Sequence, residues 1–151
     1  MTTPPRTDQD LLSGVALTTF RLNGQFLALA ETLARPVGLT AAWWQVLGAV
    51  LREPLPVAAI AREMGITRQS VQRIADLLVE RGMAEYRPNP AHRRAKLVAP
   101  TQTGLDAVTA LDPTHAAAAA RLIEAMGRDE LGAALDAMRR LTTALDSIAE
   151  G

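Results

Sequence analysis

Residues 65–82 read GITRQSVQRIADLLVERG, and the fold turns on how this stretch is read. Gly65 supplies the backbone freedom that a tight turn needs, and Thr67 is placed to accept a hydrogen bond from the amides of a first helical turn. Val71, Ile74 and Leu78 then recur at spacings of three and four, which puts them on one buried stripe, with Ile66 expected to pack just before the cap. The opposite face carries Arg68, Gln69, Gln72, Arg73 and Asp76. Arginine and glutamine read guanine and adenine edges bidentately, so a helix with these residues in its first two turns suits entry into a major groove.

The neighbouring segments place this helix in a larger unit. Before it, VAAIAREMG (57–65) predicts a short helix with Val57, Ile60, Ala61 and Met64 inward and Arg62 and Glu63 outward. Helix, glycine turn and second helix make a helix-turn-helix. After it, Gly82 serves as a stop, and AEYRPNPAHRRAKLVAP (84–100) predicts two strands, 84–88 and 95–99, around a turn-rich tip at 89–94. A hairpin with adjacent arginines at its tip, beside a helix-turn-helix, is a wing.

Charge is distributed to match. The chain is neutral overall, yet from Leu55 to Pro100 eight basic residues face four acidic ones, so the middle is +4 and the flanks are −4. A basic middle between acidic ends is the footprint of a phosphate-binding module mounted on segments that do not touch nucleic acid.

From LTAAWWQVL (39–47), through IAREMGITRQSVQRIADLLVERG (60–82) and PNPAHRR (88–94), to TQTG (101–104), the sequence resembles the winged helix-turn-helix of the MarR family of bacterial transcription regulators. The resemblance implies a mainly α fold with a small β-hairpin wing and flanking dimerisation helices. It implies a homodimer that binds double-stranded DNA at a pseudo-palindromic operator, as a repressor. The DNA-contacting set is then Thr67, Arg68, Gln69, Ser70, Gln72 and Arg73 on the recognition helix, with His92, Arg93, Arg94 and Lys96 in the wing. Three positions depart from the family pattern. His92 stands where an Asp commonly steadies the tip arginine, Pro56 where a Ser or Thr caps the preceding helix, and Pro100 where an apolar residue precedes Thr101.

The organisation expected is a disordered tail at 1–7, an N-terminal dimerisation helix within 8–38, the winged domain at 39–100, and connecting and dimerisation helices at 101–151. Thr7 with Asp10 forms a capping box for the first helix, whose stripe includes Leu11, Val15, Leu22, Phe26, Leu29 and Leu33. The last helix, from Asp129, carries Leu131, Leu135, Met138, Leu141, Leu145 and Ile148 at the same periodicity. A chain this small cannot bury both stripes against itself, so they predict a second copy as partner. Pro113 cannot continue an intrahelical hydrogen-bond ladder, so the segment 101–126 is expected to kink or to split there.

Trp43 and Trp44 begin a helix capped by Thr40. Leu39, Trp44, Leu47 and Leu51 are expected to form its buried stripe, leaving Trp43 for another neighbour. The family resemblance implies that an aromatic wall with a nearby Arg or His holds small aromatic acids. Trp43, Trp44 and His115 are therefore the effector candidates, against ordinary packing for the two indoles.

Other classes are disfavoured. The chain has no cysteine, which excludes disulfides and thiol redox switching, and its two histidines, His92 and His115, offer no i,i+4 metal pair. No metal or cofactor is expected. No nucleophile–base pair supports a hydrolase or transferase, so no enzymatic activity is expected. No apolar run is long enough to span a membrane, and MTTPPRTDQD lacks a signal core, which predicts a cytoplasmic protein without a membrane partner. The remaining alternative is a winged domain used for protein–protein contact.

Overall fold

The computed structural model describes residues 4–151; residues 1–3 of the expected tail lie outside the described residues. Among the described residues, seven α-helices and three short strands follow in chain order, with a 3-10 turn at Arg35–Val37 after the first helix: α1 (Asp8–Ala34), α2 (Ala41–Ala49), β1 (Leu55–Pro56), α3 (Val57–Met64), α4 (Arg68–Glu80), β2 (Ala84–Arg87), β3 (Leu97–Pro100), α5 (Gln102–Thr109), α6 (Asp112–Met126) and α7 (Arg128–Ala149). The described residues form two compact units, divided after Leu111.

In the first unit, α1 starts at the expected capping box, with the Thr7 N–H donating to Asp10 Oδ2 at 2.9 Å and the Asp10 N–H donating to Thr7 Oγ1 at 3.1 Å. That hydrogen bonding holds the Asp10 carboxyl below the usual carboxylate range. At the other end of α1, Glu31 accepts a hydrogen bond from the Ala41 N–H at 2.8 Å. One carboxylate thus serves an orphan amide of α2 and ties the two helices together, while Thr40 caps the Trp43 amide at 3.1 Å.

The core lies under the helix-turn-helix. Val46, Leu47 and Val50 from α2 and its cap, Ile60 and Ala61 from α3, Val71, Ile74, Ala75 and Leu78 from α4, and Val98 from β3 are buried together. The stripe predicted on α4 is therefore the one that packs. On α2 the prediction fails at Leu51, which is 43% exposed, because the helix stops at Ala49 and Val50, its cap, takes the inward position. Neither indole is fully buried; Trp43 and Trp44 are both half-buried against the core. Ile66 is exposed rather than packed: its N–H donates to Ala61 O at 3.2 Å, as the turn at Gly65 requires, but its side chain stays at the surface. Gly65 sits at φ +66°, where a Cβ would be strained.

The sheet is antiparallel with order β1-β3-β2. Strands β2 and β3 pair Ala84 with Pro100 and Arg87 with Leu97, so the first wing strand ends one residue earlier and the second begins two residues later than predicted. On the other side of β3, Leu55 and Pro56 form a third strand that the sequence did not announce. Pro56 is tolerated there because β1 is an edge strand, and it then serves as the N-cap of α3 without a side-chain hydrogen bond.

α5 is docked onto the link between α4 and the wing. Thr101 donates its hydroxyl to Gly82 O at 2.5 Å and its N–H to Met83 O at 3.1 Å, and its Oγ1 accepts from the Gly104 N–H at 3.2 Å. Gly104 is required by close approach: a Cβ there would collide with the Met83 carbonyl and meet Leu47 Cδ2 at 3.3 Å. Beyond Thr109 the chain breaks at Ala110-Leu111 and restarts at Asp112, so the segment around Pro113 is split into two helices. The second unit consists of α6 packed on α7.

Candidate nucleic-acid interface

The recognition helix α4 begins with Thr67 in an extended conformation, its Oγ1 accepting from the Ser70 N–H at 3.1 Å while its hydroxyl donates to Ser70 Oγ at 2.9 Å. Capping uses the Ser70 amide and leaves the amides of Arg68 and Gln69 at the positive end of the helix, the arrangement that favours an anion. Arg68, Gln69, Gln72 and Arg73 are exposed on the face opposite the buried stripe, as the periodicity predicted. Ser70 is half-buried and engaged with Thr67.

Gln72 is not free. Its Nε2 donates to Asp76 Oδ1 at 3.0 Å and to Tyr86 Oη at 2.9 Å, and Tyr86 in turn donates its hydroxyl to Asp76. These three side chains close a ring that bolts the recognition helix to the first wing strand. Burial first, then the hydrogen bond and charge of Asp76, push the Tyr86 phenol up to about 12. Lys96, from the approach to β3, lies 5.8 Å from the Tyr86 ring centroid.

The wing tip turns at Asn89, whose Oδ1 accepts from the Ala91 N–H at 3.0 Å and whose carbonyl accepts from the His92 N–H at 3.2 Å. His92, Arg93, Arg94 and Lys96 are all exposed. Between the tip and the start of the helix-turn-helix runs an open groove of about 630 Å³, with Ala58 and Ile66 on its apolar side and Arg62, Arg68, Asn89 and His92 on its polar side. One compact unit therefore presents a capped helix N-terminus, two arginines and two glutamines on one helix face, and a basic tip.

Residues 37–95 match the family model described as MarR family. An uncharacterized protein of Mycobacterium tuberculosis is 36% identical over 136 residues, 90% of this chain and 95% of that protein. The chain belongs to the MarR family. Among solved structures, a MarR family transcriptional regulator from Streptomyces coelicolor is 26% identical, with TM-score 0.70 over 89% of this chain and 96% of that one. The M. tuberculosis regulator MOSR in complex with DNA shares the fold, with TM-score 0.72 and 20% identity over 88% of this chain and 96% of that one.

As a MarR-family winged helix, the chain has its predicted helix and wing residues in one unit, and both effector-candidate indoles belong to that unit too. His115 belongs to the other, exposed on α6. Trp43 carries the Arg81 guanidinium 5.6 Å from its ring centroid, so its face is already occupied by a cation from the end of α4. Of the expected dimer residues, Leu11 and Val15 on α1 and Leu135, Met138, Leu145 and Ile148 on α7 are exposed, Ile148 at 72%; Leu22, Leu131 and Leu141 are half-buried. Sequence reasoning missed Tyr86 and the role of Asp76. The available signal was that Gln72 and Asp76 stand one turn apart, while Tyr86 shares a strand face with buried Ala84. Among the described residues, no helix is long and apolar enough to cross a membrane.

Proposed function

We propose that this MarR-family protein is a homodimeric, sequence-specific DNA-binding repressor of a pseudo-palindromic operator, relieved by a small aromatic effector. The observation that carries the DNA reading is the face formed by Arg68, Gln69 and Arg73 on a Thr67-capped helix, set in the same unit as the basic tip at Arg93 and Arg94. The helix would lie in a major groove and the tip in the adjacent minor groove. Thr67 and Ser70 would shape the helix start, and His92 and Lys96 would contribute charge around the wing.

The exposed apolar side chains of α1 and α7 support dimerisation, since isolated surface stripes of this size are costly in water. For the effector, Trp43 and Arg81 pair an aromatic ring with an exposed cation, a contact for which an aromatic carboxylate can compete with both its ring and its charge. Trp44 and His115 complete the candidate set.

Fluorescence anisotropy with a labelled duplex, repeated across a salt series, tests the core of the reading. A steep fall of affinity with salt and a tighter fit to a selected duplex than to random sequence are expected. Salt-independent association, or equal affinity for both duplexes, would instead favour a winged domain used for protein contact.

A further inference from the structure

The open groove of about 630 Å³ beside the recognition helix draws its walls from three elements. On α3, Ala58, Ala59 and Arg62 stand three and four residues apart, so they share the face turned away from buried Ile60. The first turn of α4 adds Arg68, and the wing adds His92 and Ala95. The tip backbone fixes His92: its N–H donates to Asn89 O at 3.2 Å, and its carbonyl accepts from the Ala95 N–H at 3.3 Å. None of the residues lining the groove is acidic. Of the carboxylates on the surrounding elements, Asp76 is engaged by Gln72 and Tyr86, Glu85 is paired with Arg87 at 2.8 Å, Glu63 lies outside the lining, and Glu80 stands at the end of α4 opposite Arg68. The remaining tip charges, Arg93, Arg94 and Lys96, are cations as well.

A small effector needs a site that encloses most of its surface, which an open groove does not provide. A sugar-phosphate strand passes through its site, and needs small side chains for close approach with positive charge alongside. We propose that this groove seats a DNA strand, with Arg62 of α3 as a phosphate contact, and that His92 takes up a proton when the strand binds. The proposal rests on the DNA-binding reading above, to which it adds α3. Arg62 and Arg68 carry their charge at any working pH. His92 is the one groove residue whose charge changes near neutrality. A phosphate beside an imidazole favours the charged form, so binding carries a proton with it and tightens as pH falls. At higher pH that contact is lost while those of the two arginines remain.

The test is fluorescence anisotropy with the full chain and a duplex it selects from a randomised library, at about pH 5.5 and about pH 7.5 and one ionic strength, with circular dichroism confirming the fold at both. The wild type should bind about fivefold tighter per winged domain at the lower pH, the effect of one opposite charge close to a histidine. His92→Asn should bind equally at both, and His92→Lys, charged throughout, should also lose the pH response. Arg62→Gln should lower affinity and reduce the slope of log affinity against log salt by about one per winged domain, with base preference unchanged. Both residues are exposed, so the fold should tolerate these changes.

Equal wild-type affinity at the two pH values overturns the proposal, and that measurement needs no variant. A pH response that persists in His92→Asn overturns it too, as does a wild-type salt slope in Arg62→Gln. Wild-type protein that binds no duplex, or binds without salt dependence, is a different result, and it removes the DNA-binding reading itself.

Discussion

Replacing Gly104 by alanine should damage the protein in a way that the same change at Gly48 does not. Both glycines lie in helices, where alanine is intrinsically better by about 0.5–1 kcal/mol. At Gly48 a Cβ meets nothing within 4 Å, so that gain is unopposed. At Gly104 the Cβ runs into the Met83 carbonyl, a backbone atom that cannot swing aside. Relief requires α5 to retreat from the link between α4 and the wing, at an overpacking cost of about 1–3 kcal/mol. Retreat also strains the Thr101 hydrogen bonds to Gly82 O at 2.5 Å and Met83 O at 3.1 Å, each contributing about 0.5–1.5 kcal/mol. Against the helix-propensity gain, the net expectation is a loss of about 2–4 kcal/mol. In a chain of this size that corresponds to a melting temperature lower by about 5–15 °C. The assay is thermal and urea unfolding by circular dichroism at one fixed protein concentration, because any self-association makes the midpoint concentration-dependent. A Gly104→Ala variant as stable as Gly48→Ala would refute the close-approach argument and the docking role of Thr101 with it.

Tyr86 is the only tyrosine, so its ionisation can be followed directly by ultraviolet absorbance. Its folded-state value, pushed up to about 12 from 10.0, means that the stability it contributes is complete below pH 10 and is lost as pH rises from 10 toward 12; Asp76→Asn should bring the phenol down, and a wild-type phenol titrating near 10 would contradict the hydrogen-bonded ring. Arg94→Ala should weaken DNA binding and flatten its salt dependence while keeping the base preference, whereas Gln69→Ala should change the preference at a cost of about 1–3 kcal/mol per lost bidentate contact. Indistinguishable behaviour of the two variants in anisotropy titrations would remove the division of labour between helix and wing. Light scattering should give twice the 16.1 kDa chain mass at micromolar concentration, and removal of residues 129–151 should cause aggregation or unfolding; a folded, stable monomer in either case would sink the dimer proposal.

The α4 helix was legible in the sequence because every relevant signal is local. A cap at Thr67, a stripe at Val71, Ile74 and Leu78, and a stop at Gly82 all lie within eighteen residues. What escaped depends on contacts between distant segments. β1 has only two residues, one of them proline, and becomes a strand solely because β3 offers it an edge. Leu51 continues the apolar spacing of α2, but the helix has already ended, so periodicity pointed inward where the backbone does not. Gln72 was read as a free base reader because helix geometry alone puts it on the outer face. Its hydrogen bonds to Tyr86, fourteen residues away, appear only once the wing folds back beside the helix.

These long-range bonds also constrain how binding can be regulated. The link from α4 to β2 is held from one side by Thr101 and Gly104, and β2 itself is held to α4 by Tyr86 and Asp76. Wing and recognition helix are thus fastened at two points, and altering their relative pose means breaking several hydrogen bonds at once. An effector that weakened DNA binding tenfold needs a differential affinity of only about 1.4 kcal/mol between two states. That is the order of a single such bond, too little to dismantle the pair of fastenings. Regulation in the proposed dimer is therefore better served by changing the separation of two internally rigid winged lobes than by bending either one. Arg81 and Trp43 are suited to that role: the pair joins the end of the recognition helix to α2 by a cation–π contact that an aromatic acid can compete for without disturbing the Gln72 ring.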